Sequence, residues 1–285
     1  MLQNWLILLP ELSLLSFFPV AWLVNLYRSG KTAKTFFTLS KYFLLFAMLT
    51  TIIFYNKSAV PALWSNTPYA TLFKVSIYLF GLAWFYLSSK WFLNKNRPSF
   101  AYYSLAMAAL LLFGILLSAH NFIVPAFVVP ILCLINWLLL RQHWDEDRIV
   151  LIARLYAFFA ILFTLLLWGG IAILWTHTSS LDYAGISRYL SMTAPKAPLV
   201  YASVVMVMAS LLFMIGAVPF HSWFIGIISR AILPVSGFMT LIPPFVYLAC
   251  LISLMVEVFN PLLPFLRPLL LTFAALSLLV GALSA

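Results

Sequence analysis

Charge is what this sequence has least of. Only 8% of its 285 residues are Asp, Glu, Lys or Arg, against about 25% in soluble domains, so water is not the main solvent for this chain. Acids are scarcer than bases, six against sixteen. Cysteine is nearly missing: Cys133 and Cys250 share no CxxC spacing, which argues against a disulfide scaffold or thiolate metal centre and leaves core packing. A Gly-rich phosphate loop, an HExxH run and histidines paired at helical spacing are all absent, so nucleotide-loop and zinc-hydrolase chemistry find no footing. The four histidines, His120, His143, His177 and His221, are far apart. Neither a metal site nor a catalytic residue is expected. The start MLQNW lacks the basic residues of a cleavable leader.

What the chain does have is apolar length, with 65% hydrophobic and 17% aromatic residues. Runs of about 20 apolar residues recur, each able to cross the hydrocarbon layer as a helix. They do not alternate as barrel strands would. Spans are predicted near 3–26, 36–55, 72–93, 100–119, 122–140, 150–175, 198–219, 233–256 and 266–284. The expected fold is all-α: a polytopic transmembrane bundle of about nine helices, with residues 1–285 forming a single transmembrane domain.

The net charge of +10 is read as topology and headgroup contact rather than nucleic-acid binding. Arg28, Lys31 and Lys34 follow span one, Lys90, Lys95 and Arg97 follow span three, and Arg141 and Arg148 follow span five. Opposite loops hold less: Lys57, none in SAHN, then Arg188 and Lys196. The positive-inside rule then puts the N-terminus on the non-cytoplasmic side. Trp5, Trp64, Trp91, Trp144 and Trp175 sit near span ends, as an interfacial belt requires. The one dense polar stretch, RQHWDEDR at 141–148, reads as a solvated loop, with a docking site as the other reading.

Ionisable side chains inside spans cost about 2.5–3.5 kcal/mol at mid-span and so mark ion or proton routes. Glu11, Lys74 and His221 are the candidates for such a path, with Glu257 closing span eight. Glu11 is placed about half a span deep, with pairing to a neighbouring helix or subunit as its other role. Lys74 and Glu257 lie near span ends, where long side chains can snorkel. Gly216 and Pro219 beside His221 should break a helix, and Pro234 marks a second break; broken backbone at depth is tolerated inside protein or along a wet cavity. Pro243 and Pro244 should kink span eight.

The stretches LLPELSLL at the start, LFKVSIYL at Leu72–Leu79, YYSLAMAALLLFGILLSAHN at Tyr102–Asn121 and VPFHSWF…LPVSGF at Val218–Phe238 together resemble subunit N of NADH-quinone oxidoreductase, the antiporter-like membrane subunit of respiratory complex I. The resemblance runs in order along nearly the whole chain; Mrp-type antiporter subunits and membrane-bound hydrogenase subunits are the wider relatives. It implies a discontinuous seventh helix at the Pro-Phe-His-x-Trp cluster, bordering a hydrated channel. It also implies a bacterial inner-membrane location and partnership with other membrane subunits of a complex I-like assembly. NAD, FMN, iron–sulfur clusters and quinone would then sit in partner subunits, with no cofactor held by this chain.

Departures from the family matter more. The family's buried glutamate of helix five falls on Ile131, its helix-seven lysine on Met214, its helix-eight lysine on Pro244, and the acid of its Trp-x-Pro-Asp turn on Gly226. Without any alignment, spans five, seven and eight contain no acid or lysine at mid-depth. Isoleucine, methionine and proline bind no proton, so conduction through this half is expected to be impaired or lost unless Glu11, His221 or a neighbouring subunit substitutes. LTFAALSLLVGALSA resembles the family's ninth helix, so one and a fraction of its inverted repeats are expected, without helices ten to fourteen. Rival readings are an Mrp-type or other ion-coupled transporter subunit, a non-conducting scaffold, and an unrelated nine-helix carrier.

Overall fold

The computed structural model describes residues 7–27, 33–60, 64–95, 99–141, 147–192 and 197–284. Trp5, Arg28, Lys31, Arg97, His143, Trp144, Asp145, Glu146 and Lys196 lie outside the described residues. In chain order come α1 (Leu9–Tyr27), α2 (Ala33–Ile53), a hairpin of β1 (Lys57–Val60) and β2 (Trp64–Asn66), α3 (Pro68–Lys95), α4 (Phe100–Leu117), α5 (Ile123–Arg141), α6 (Asp147–Thr178), the short α7 (Tyr183–Met192), α8 (Pro198–Ile215), the short α9 (Ser222–Arg230), α10 (Leu233–Glu257), a 3-10 turn (Asn260–Leu262) and α11 (Leu263–Ser284). Among the described residues nine helices are long and apolar enough to cross a membrane, all but α7 and α9. The chain is a multi-pass membrane protein.

Helix starts follow from local chemistry. Pro68, Pro198 and Pro234 stand in opening turns, where a missing N–H costs nothing. Thr67 Oγ1 accepts the Ala70 N–H at 3.1 Å ahead of α3. The helix break expected at Gly216 and Pro234 is present at both. Chain α8 stops at Ile215 because Gly216 takes a left-handed φ of +79°, which glycine adopts without strain. A turn and α9 follow, and α10 begins at Leu233. Pro219 lies in that turn, preceded by a cis bond. The Trp of the Pro-Phe-His-x-Trp cluster has a definite job: Trp223 Nε1 donates to the Phe213 carbonyl at 3.2 Å, near the open end of α8. Ser277 Oγ of α11 receives the Val218 N–H at 3.1 Å. Released backbone groups thus find partners within the protein, as they must at membrane depth. Pro243 and Pro244 both sit inside one continuous α10.

Four connections gather at one end of the bundle. Trp64 bridges Ala119, and Asn121 bridges Asp182. Ser65 N donates to Ser118 O at 3.1 Å, Phe122 N to Leu181 O at 2.9 Å, and Tyr183 N to His120 O at 3.1 Å. Phe122 also meets Phe259, just past α10. This end also holds the start of α1, since Ile7 packs with Trp64. The short helix α7 is pinned here by buried Tyr183, Ile186 and Leu190.

Candidate functional site

Glu11 and Lys74 meet at this end. Glu11 is in the first turn of α1, where the positive end of the helix dipole favours a carboxylate. Lys74 is two turns into α3, because that helix starts at Pro68 rather than near 72. Two expectations are corrected by this placement. Lys74 does not snorkel: it is 0% exposed. Glu11 is not mid-helix but close to the helix start, and is nevertheless buried. Lys74 Nζ donates to Glu11 Oε1 at 2.5 Å and to Asn66 Oδ1 at 2.7 Å, and lies 5.1 Å from the centre of the Trp64 ring. Gly114 of α4 lies against the pair and leaves room for the Tyr78 hydroxyl, since a Cβ there would stand 2.9 Å from it, while 3.8 Å from Glu11 Oε1 is ordinary contact. A charged pair out of water is tolerated only with good geometry and extra hydrogen bonds, and β2 supplies one through Asn66. On its outer side Glu11 lines an apolar groove of about 300 Å³ with Leu12, Trp64 and Leu111.

Asn66 also carries the network outward. Its Oδ1 accepts from Ser118 Oγ at 3.2 Å. The Ser118 carbonyl lies 3.1 Å from His120 Nδ1, and the imidazole Nε2 lies 3.2 Å from Ser65 Oγ. His120 in turn faces Glu257 Oε2 at 3.8 Å. Asn121 Nδ2 donates to Asp182. His120, Asp182, Tyr183, Arg188 and Glu257 line an open cavity of about 490 Å³. Burial pushes the Tyr183 phenol well above its ordinary range, with Cys250 and Glu257 adding to the effect. His120 was passed over in the sequence because a loop histidine in SAHN carries no periodic signal.

His221 is elsewhere. It stands at the start of α9, half-buried, and its Nδ1 has no partner among the described residues. No hydrogen bond or ion pair among the described residues joins it to Glu11 or Lys74.

At the bundle centre the geometry is different again. Met214 is 2% exposed and its sulfur lies 3.8 Å from the Cys133 sulfur. Ile131, where the helix-five glutamate was aligned, is 46% exposed and faces outward. The α5 residue that meets Met214 is Cys133, two positions further on. Pro244 is half-buried within α10. Nearby polar groups are neutral, with Asn136 Nδ2 donating to the Tyr156 hydroxyl at 3.3 Å. Both cysteines are free.

Known proteins agree with this architecture. Subunit N of NADH-quinone oxidoreductase from Thioalkalivibrio sulfidiphilus is 30% identical over 212 residues, covering 74% of this chain and 44% of the relative. The subunit N of Alkalilimnicola ehrlichii is 25% identical over 280 residues, covering 97% of this chain and 57% of the relative. The chain spans about half the length of the curated relatives it matches. A chain of respiratory complex I from Thermus thermophilus with bound aureothin shares the fold, with a TM-score of 0.78 at 18% identity over 96% of this chain and 58% of that one. Residues 126–285 match the family described as NADH:quinone oxidoreductase/Mrp antiporter, TM. With more than half of its residues in that match, the chain belongs to the NADH:quinone oxidoreductase/Mrp antiporter transmembrane family.

Proposed function

We propose that this chain is an antiporter-like membrane subunit of an NADH:quinone oxidoreductase-type assembly and that its contribution is architectural, without proton conduction through the centre. It sits in a bacterial inner membrane with its N-terminus on the non-cytoplasmic side. That orientation draws on the basic residues that the sequence places after spans one, three and five. Other membrane subunits cover part of its apolar exterior. NAD, FMN, iron–sulfur clusters and quinone belong to partner subunits in this reading.

One observation carries the architectural role: buried Met214 meets Cys133 at the bundle centre. Neither side chain is a carboxylate, ammonium or imidazole, and α5, α8 and α10 offer none between their ends. Ion movement across hydrocarbon relies on such groups. A subunit of a cation/proton antiporter is the second reading, favoured by the family description that names both classes.

Purification of the tagged chain from its own membranes in mild detergent tests the assembly. Comigration with NADH:quinone reductase activity and with FMN is the expected result. Comigration with cation-antiporter subunits would favour the second reading, and migration alone would contradict both.

A further inference from the structure

Around Glu11 and Lys74 lies a set of polar atoms that the protein itself leaves without partners: Glu11 Oε2, Asn66 Nδ2, Thr71 Oγ1, Tyr78 Oη and Trp64 Nε1. All five residues are at most 9% exposed. Buried polar atoms of this kind are met by ordered water. From them Asn66 Oδ1 leads to Ser118 Oγ, and beyond it the Ser118 carbonyl and Ser65 Oγ lie within hydrogen-bond reach of His120, which faces Glu257 across the cavity. In the other direction the same helices offer Leu14, Phe17, Phe85, Met107 and Leu110, all fully buried. Among the described residues the hydrogen bonds of the pair lead toward the loop end of the bundle.

We propose that Glu11 and Lys74 form a one-sided proton-exchange site, filled from the aqueous phase through His120. A proton taken up by the imidazole from cavity water passes to Ser65 Oγ, whose own proton moves on through buried water, and an O–H bond forms at Glu11 Oε2. The imidazole returns to its neutral form, and no electron moves. An amide nitrogen does not release protons readily, so the step past Asn66 belongs to water. Protonation leaves Lys74 as the charged partner, held by Asn66 Oδ1 and the Trp64 ring.

The groups bearing on the pair are Tyr78 from α3, Thr51 beside it from α2 and Gly114 from α4. His120 faces Glu257 from α10 and shares its cavity with Asp182, Tyr183 and Arg188 from the α7 region, while Cys250 from α10 bears on Tyr183 and Tyr69 from α3 feels Glu257. Because the apolar layer closes the far side, the site binds and releases protons without passing them across. It is therefore independent of which assembly the chain joins.

The test uses the full chain in lipid nanodiscs, with infrared difference spectra recorded after a pH jump. The wild type should show a protonated-carboxyl band at acid pH that is lost in Glu11→Gln. In His120→Ala the band should reach its usual size, but about tenfold or more slowly. A band that survives Glu11→Gln would overturn the proposal, as would an unchanged rate in His120→Ala. Should Glu11→Gln fail to fold, carboxyl-labelled glutamate in the wild type assigns the band without a substitution. A band that does not shift with the label would overturn the proposal equally. These spectra read titration of the isolated chain, so their failure is distinct from a failure to comigrate with NADH:quinone reductase.

Discussion

Glu11 and Lys74 meet at 2.5 Å beneath a hairpin that supplies an amide, whereas Cys133 and Met214 meet at 3.8 Å between helices that supply no opposite charges. Both pairs are buried, and both join helices distant in sequence. The first pair has the features that make a buried charge tolerable: an opposite charge, a second acceptor at Asn66 and a ring face at Trp64. The second has the features of ordinary core packing, two soft polarizable side chains filling a gap. One fold thus holds an ionic contact near its end and a sulfur contact at its centre. Charge, in this molecule, is kept where loops can serve it.

The comparison breaks most visibly if charge is moved into the centre. Met214→Lys places an ammonium where no acid faces it, and the loss should be about 3–5 kcal/mol, read as a fall in the unfolding midpoint in detergent. Adding Cys133→Glu should recover much of that loss, while Ile131→Glu should recover none, because Ile131 points outward. Rescue from position 131 instead would mean that α5 is rotated from the orientation described above.

Removing charge from the other region comes next. Lys74→Met leaves the Glu11 carboxylate buried and unpaired, again at about 3–5 kcal/mol. The Glu11→Leu, Lys74→Met double variant should be more stable than Lys74→Met alone, and a double-mutant cycle measures that coupling. A smaller effect is expected from Gly114→Ala, whose methyl crowds the Tyr78 hydroxyl at 2.9 Å; overpacking of this kind costs about 1–3 kcal/mol. The smallest belongs to Trp223→Phe, which removes the hydrogen bond to Phe213 O and should cost about 1 kcal/mol. Its thermal midpoint should fall slightly, with the Glu11–Lys74 coupling unchanged.

Much of the fold was legible before any coordinates. Apolar runs of membrane-crossing length carry their own boundaries, so all nine predicted spans have a counterpart among the described helices. Gly216 and Pro234 announced the break, because a left-handed turn and a missing N–H are properties of those residues wherever they stand. The site was half legible. Rarity in hydrocarbon singled out Glu11 and Lys74, but not each other, since their contact joins two helices 63 residues apart and is a matter of tertiary packing. Starting the third helix at 72 rather than Pro68 made Lys74 look like a snorkelling end residue. Helix rotation was the other loss. The alignment of the family's glutamate on Ile131 carries no information on facing, and packing turns Cys133 inward while Ile131 is 46% exposed. Asn66, Ser118 and His120 gave no signal at all, being polar residues in or beside loops whose meeting is a tertiary fact.

Purified chain reconstituted into liposomes loaded with a pH-sensitive dye provides the most direct measurement. Under an imposed proton gradient the account predicts the same slow leak as in empty vesicles, because the centre holds no relay and the Glu11–Lys74 site opens to one side only. Proton flux clearly above that leak, and abolished by Glu11→Gln, would contradict it.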